Sequence, residues 1–180
     1  MSRKELLLVI ACGLILPAAA LAEARLLRHP SYHKGKVAFS YLGDIWSAKE
    51  DGSGAQRLTV HRARDIYPRY SPDGQWIAFS SNRYGNYDVF VMRADGGTPR
   101  QLTFHTGGEN VVGWTPDGKR VIFSAARGQG PFPSVTNLYE VSVEGGLEQR
   151  IETDWGASGS YSTDGAKLTF NRHPINWWRQ

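Results

Sequence analysis

The chain has 180 residues, 41% of them hydrophobic and 21% charged, with 21 Lys+Arg against 17 Asp+Glu and a single Cys. That apolar content excludes disorder as the main state, and the lone thiol excludes a disulfide framework. The net charge of +4 is scattered along the chain rather than gathered into a stripe, so nucleic acid and anionic membranes are not expected partners.

The first element is a targeting segment. Arg3 and Lys4 precede an apolar run over residues 6–16, followed by Pro17 and an Ala-rich tail. This run is too short to cross about 30 Å of hydrocarbon, which takes roughly 20 residues. Ala20-Leu21-Ala22 meets the small-x-small rule, so a secretory signal cleaved after Ala22 is expected, with no membrane span left in residues 23–180. Cys12 interrupts the apolar run instead of following it, which argues against a lipid-anchored cysteine. The expected product contains no Cys, as suits an oxidising compartment.

Everything after the signal is repetitive. Six Trp and eight Tyr beside two Met favour strands. Phe39, Phe79, Phe123 and Phe170 each close an apolar run, at spacings of 40, 44 and 47 residues. Asp44-Ile-Trp, Asp88-Val-Phe and Asn137-Leu-Tyr follow, 44 and 49 apart, and Leu58-Thr59, Leu102-Thr103 and Ile151-Glu152 keep the same step. Three series in register define a unit.

Within a unit the pattern is all strand. In the clearest copy, four short runs at 67–70, 75–81, 87–92 and 100–103 lie between polar turns. Ser71-Pro72-Asp73-Gly74, Thr115-Pro116-Asp117-Gly118 and Ser162-Thr163-Asp164-Gly165 occupy one repeat position. In such turns Asp bonds its own backbone and Gly accepts positive φ. Asp51-Gly52, Asp95-Gly96-Gly97 and Glu144-Gly145-Gly146 mark the next hairpin. Tyr70, Trp114 and Tyr161, just ahead of the first turn, are expected to pack between units.

Four antiparallel strands in about 40–45 residues, repeated, predict an all-β fold, an incomplete β-propeller of about three and a half four-stranded blades. The blades are expected at about 29–60, 65–104, 110–153 and, incomplete, 159–171. Such an arc cannot close a ring, so the expected partner is the rest of a longer polypeptide.

The unit Tyr67-Pro-Arg-Tyr-Ser-Pro-Asp-Gly…Ile-Ala-Phe-Ser-Ser-Asn-Arg…Asp-Val-Phe-Val-Met…Asp-Gly-Gly…Gln-Leu-Thr resembles the TolB-type propeller repeat. That repeat is shared by TolB, tricorn-like proteases and prolyl oligopeptidase relatives. The segments from Leu27 to Ala48 and from Leu168 onward are similar to the first propeller of tricorn-like serine proteases. The resemblance implies a non-catalytic, substrate-gating propeller of an exported, periplasmic peptidase whose catalytic residues lie in other domains. It leaves open a TolB-like module that binds envelope proteins, and a propeller lid of a prolyl oligopeptidase-like hydrolase.

The residues themselves offer no catalytic set, and no cofactor or metal is expected. His61 and His105 are repeat equivalents, with Asp154 at the third copy, but adjacent blades repeat residues for packing and no close ligand spacing supports a metal. Gly156-Ala-Ser158-Gly-Ser160 looks like a nucleophile elbow but lacks the final Gly and the following helix. Gly128-Gln-Gly130 likewise lacks a dinucleotide-binding context. Two positions remain as possible peptide contacts: Arg64, at the expected channel mouth, and Phe132, between two prolines in a loop (125–136) longer than its repeat equivalent at 81–87. The remaining arginines, including Arg57, Arg83 and Arg127, alternate with Asp44, Asp65 and Asp88, which predicts a solvated mixed-charge surface.

Overall fold

The computed structural model describes residues 26–127, 136–153 and 155–172, so the signal-like segment, Phe132 and Asp154 lie outside the described residues. Among these, the first sheet consists of β1 (Arg28–His33), β2 (Lys36–Tyr41), β3 (Asp44–Lys49) and β4 (Gln56–Arg57). The second consists of β5 (Asp65–Tyr70), β6 (Trp76–Ser81), β7 (Asp88–Arg93) and β8 (Arg100–Gln101). The third contains β9 (Glu109–Trp114), β10 (Arg120–Ala125), β11 (Asn137–Ser142) and β12 (Gln149–Arg150). A two-stranded sheet of β13 (Gly156–Tyr161) and β14 (Leu168–Arg172) follows.

All pairings are antiparallel between consecutive strands. The first strands form the inner row, because β1 packs on β5, β5 on β9, and β9 on β13. Fourth strands are shorter than the 100–103 run predicts. Leu102 N–H still reaches Val89 O, but the next bond to Val89, from its N–H, goes to the Thr103 side-chain hydroxyl at 2.8 Å. A side chain has replaced the ladder there. The fourth unit begins at Gly156, ahead of the expected 159.

The turns repeat as atomic copies. Ser71 Oγ donates to Asp73 Oδ1 at 2.5 Å, and that oxygen also accepts the Gln75 N–H at 3.0 Å; Thr115/Asp117 and Ser162/Asp164 do the same. These bonds, the hydroxyl's first, hold the three carboxyls below the usual carboxylate range.

Two cores lie between the sheets. One joins the first two sheets through Ala38, Ile45, Tyr70, Ile77, Phe79, Phe90 and Met92. The other joins the second and third through Val89, Val91, Leu102, Val111, Trp114, Val121, Phe123 and Val141, among others. Tyr70 and Trp114 therefore pack between blades, and Trp114 Nε1–H also donates to Arg69 O at 2.9 Å. The repeated phenylalanines face aromatic partners across the ladder: Phe39 opposite Trp46, Phe79 opposite Phe90 and Phe123 opposite Tyr139. The latter two pairs stack at 5.8 and 5.7 Å between centroids.

The expected mixed-charge surface is corrected at its most informative members. Asp44, Asp65 and Asp88 are buried, and the Arg83 and Arg127 side chains are only 12% exposed. Arg83 lies over the Phe79 and Phe90 rings and reaches Asp65 Oδ2 at 2.7 Å. Arg127 lies over Phe123 and Tyr139 and pairs with Glu109. The guanidinium covers an apolar pair with its flat face while its edge satisfies the acid that starts the inner strand.

Candidate functional site

The geometry of the site begins with two strained residues. His29 in β1 and Tyr67 in β5 hold φ of 53° and 56°, a region unfavourable for residues with a side chain. Each precedes a proline, Pro30 and Pro68, and each sits where its strand bulges against its neighbour. Strain of this kind costs on the order of 1–3 kcal/mol per residue and persists only where surrounding contacts hold it. Here the bulges turn both rings to one place, with centroids 4.1 Å apart.

Those rings form one wall of a cavity of about 660 Å³ whose lining includes Arg28, Leu42, Arg64 and Tyr87. It lies at the end of the sheets where β2 turns into β3 and where the chain crosses from β4 to β5. Arg64 is held by its backbone: its N–H donates to Asn82 Oδ1 at 2.7 Å, while its side chain remains exposed and makes no ion pair among the described residues. Gly43, at φ +90°, lies beneath the Arg64 stem, which passes 3.9 Å from where a Cβ would stand.

Burial lowers the pKa of the His29 imidazole, and the positive charges of Arg69 and Arg28 lower it further, so the ring is neutral at neutral pH. The lining residues include no carboxylate. Two exposed guanidinium groups and tyrosine hydroxyls offer hydrogen-bond donors of the kind that suit an anion, and guanidinium is the group best matched to a carboxylate. Ser40 Oγ lies 3.4 Å from His29 Nδ1, yet Ser40 is buried within β2 and no carboxylate orients the ring. That arrangement is not a hydrolytic pair.

The other residues singled out in the sequence fall elsewhere. His61 Nδ1 accepts the Ala63 N–H at 3.0 Å and His105 Nδ1 accepts the Gly107 N–H at 2.9 Å, so each imidazole ties its own loop. The segment 156–160 is extended in β13, where Asn171 Oδ1 accepts the Ala157 and Ser158 N–H groups. It is not an elbow.

Sequence reasoning missed a recurring polar clasp between the third and fourth strands. In the first sheet, Arg57 Nη2 donates to Asp44 Oδ2 at 2.6 Å and Arg57 Nε to Thr59 O at 3.0 Å. In the second, Gln101 Nε2 donates to Asp88 Oδ2 at 3.1 Å and to Thr103 O at 2.8 Å. In the third, Arg150 Nη2 donates to Asn137 Oδ1 at 3.0 Å. The signal was present in the repeat alignment, where Asp/Arg, Asp/Gln and Asn/Arg stand at matched positions.

Meandering sheets joined through their inner strands define the chain as a β-propeller-type protein. Residues 24–180 match the family of the tricorn protease N-terminal β-propeller domain, and the chain belongs to that family. Among curated relatives, it is 40% identical over 65 residues to tricorn protease homolog 1 of Streptomyces coelicolor, covering 36% of this chain and 6% of that protein. It is 33% identical over 66 residues to the Tol-Pal system protein TolB of Desulfosudis oleivorans, covering 34% of this chain and 15% of that protein. The chain thus matches only a small part of these relatives' lengths. Two solved structures share the fold: a putative TolB from Agrobacterium tumefaciens and the tricorn protease. The TolB match has a TM-score of 0.70 at 23% identity, over 82% of this chain and 54% of that one. The tricorn match has a TM-score of 0.66 at 22% identity, over 76% and 14%.

Proposed function

We propose that this chain is the non-catalytic, substrate-gating propeller segment of an exported tricorn-like serine peptidase. The residues 1–22 are its signal, and the product acts in the periplasm. In this reading its main partner is the rest of its own longer polypeptide, and its ligands are peptides. Family membership over residues 24–180 supports the peptidase context.

The observation that carries the reading is the carboxylate-free cavity with Arg28 and Arg64 at its rim. A peptide arriving there would present its terminal carboxylate to the two guanidinium groups and its backbone to the Tyr67 and Tyr87 hydroxyls. The test is fluorescence anisotropy of labelled peptides with free or amidated C-termini. Free-acid peptides should bind more tightly by about tenfold or more, the scale of one charge-assisted hydrogen bond, and Arg64→Ala should remove that difference. Equal binding of acid and amide overturns the peptide-carboxylate reading. Export is tested separately, by sequencing the amino terminus of secreted product, which should begin at Glu23.

The TolB likeness favours a second reading, a periplasmic module that binds envelope proteins through the propeller. Specific capture of an envelope lipoprotein, unaffected by Arg64→Ala, would select it.

A further inference from the structure

The clasp between third and fourth strands keeps a cation in two of its three copies and loses it in one. Asp44 has Arg57, and Asn137, already neutral, has Arg150. Asp88 has Gln101, an uncharged amide in the place of the guanidinium, with Asn86 Nδ2 donating to its other oxygen at 3.2 Å. Asp88 is 3% exposed, and among the described residues it makes no ion pair. Arg127, whose charge acts on Asp88, is committed to Glu109 and Glu148. Burial accordingly pushes the Asp88 carboxyl up from its ordinary pKa, against smaller opposing pulls from its two amide donors and from His105 and Arg127.

A cavity of about 340 Å³ opens where the missing cation would lie. Asp88, Asn86 and Gln101 line it together with His105 and Thr106 and two aromatic side chains, Tyr84 and Phe104. Both residues are largely exposed, at 74% and 76%, and so are open to a ligand. Tyr84 is nonetheless held, stacked on Phe90 at 6.2 Å. A carboxylate at the floor and aromatic faces at the mouth fit a delocalised cation on a long stem.

We propose that this pocket receives the basic side chain of a bound peptide, an arginine first and a lysine second, which restores in trans the cation that Arg57 supplies in cis to Asp44. The guanidinium donates to Asp88, and its stem lies between Tyr84 and Phe104. The site is separate from the Arg28/Arg64 cavity and does not depend on what that cavity binds.

The experiment titrates the full chain with the blocked peptide acetyl-Gly-Arg-Gly-amide, which has no free carboxylate, and with its lysine and citrulline counterparts. Amide NMR signals of Asn86, Gln101 and His105 report binding. Saturable shifts are expected with arginine, weaker ones with lysine, and a loss of about tenfold or more with citrulline, which keeps the shape and drops the charge. Gln101→Arg copies the first-sheet clasp and should abolish binding while keeping the fold, as judged by an unchanged or raised melting temperature. Asp88→Asn should abolish it as well. Absence of saturable shifts, equal binding of citrulline, or wild-type binding by Gln101→Arg would each overturn the proposal.

Discussion

The second and fourth units carry the same repeat, yet they are stabilised very differently. Phe79 on β6 is fully buried, and Phe170, its counterpart on β14, is 38% exposed. The second sheet is packed on both faces, by the first and third sheets, whereas β13 and β14 meet only the third sheet among the described residues. The side chains of β14 are mostly exposed in consequence. The repeat therefore encodes half of an interface, and burial depends on a neighbour that supplies the other half.

The largest effect that this contrast predicts is at Phe79. Phe79→Ala removes a ring stacked on Phe90 and leaves Arg83 over a void, so a loss of about 3–5 kcal/mol is expected in urea unfolding followed by tryptophan fluorescence. A loss below about 1 kcal/mol would mean that the second sheet is no better packed in solution than the fourth.

The next effect comes from Glu109, buried where β9 starts, between the second and third sheets. Burial raises its pKa to about 7, outweighing hydrogen bonds donated by Thr103 and Arg127. The unfolded chain releases this proton near the ordinary glutamate value while the folded protein keeps it. Stability from this group is therefore greatest at low pH and falls as pH rises from about 4.5 to about 7, by roughly 3 kcal/mol. Glu109→Gln should flatten that slope, measured as melting temperature against pH. An unchanged slope would move its origin elsewhere. No such acid begins the fourth unit, where Gly156 stands.

Much of this was legible in the sequence. Phe spacing, paired turns and the Asp-Gly hairpins set out an all-β repeat of short antiparallel strands, because backbone turn chemistry is local; the lengths of the fourth strands and the start of β13 did not follow from it. The acid–arginine pairs were not legible, since Asp65–Arg83 and Glu109–Arg127 are 18 residues apart and composition reads both as surface charge. The clasp residues did stand at matched repeat positions, but only the paired strands show that their side chains meet. Arg64 could be set near an expected channel mouth from repeat order alone. The His29 and Tyr67 bulges that shape its cavity could not, because a bulge is decided by cross-strand register.

A smaller effect is expected at Gly159 in β13. A Cβ there would stand 3.0 Å from Thr169 O and 3.2 Å from Leu138 Cδ1, so Gly159→Ala forces the hairpin away from the third sheet. About 1–2 kcal/mol of local opening is expected, read by hydrogen exchange in β13 and β14. In β9, Gly113 has open space around the same atom, and Gly113→Ala should leave exchange unchanged.

The smallest effect is at Phe170 itself, and it decides how the comparison should be read. With more than a third of its surface already in water, Phe170→Ala should cost no more than about 1 kcal/mol, against the larger loss at Phe79. The two variants remove the same atoms from the same repeat position, so their difference measures the neighbour alone. A loss at Phe170 that matches the loss at Phe79 would mean that the uncovered face of β14 is covered in solution. Dilution would then identify the cover: a loss that shrinks at low protein concentration comes from a second copy, and one that does not comes from within the same polypeptide.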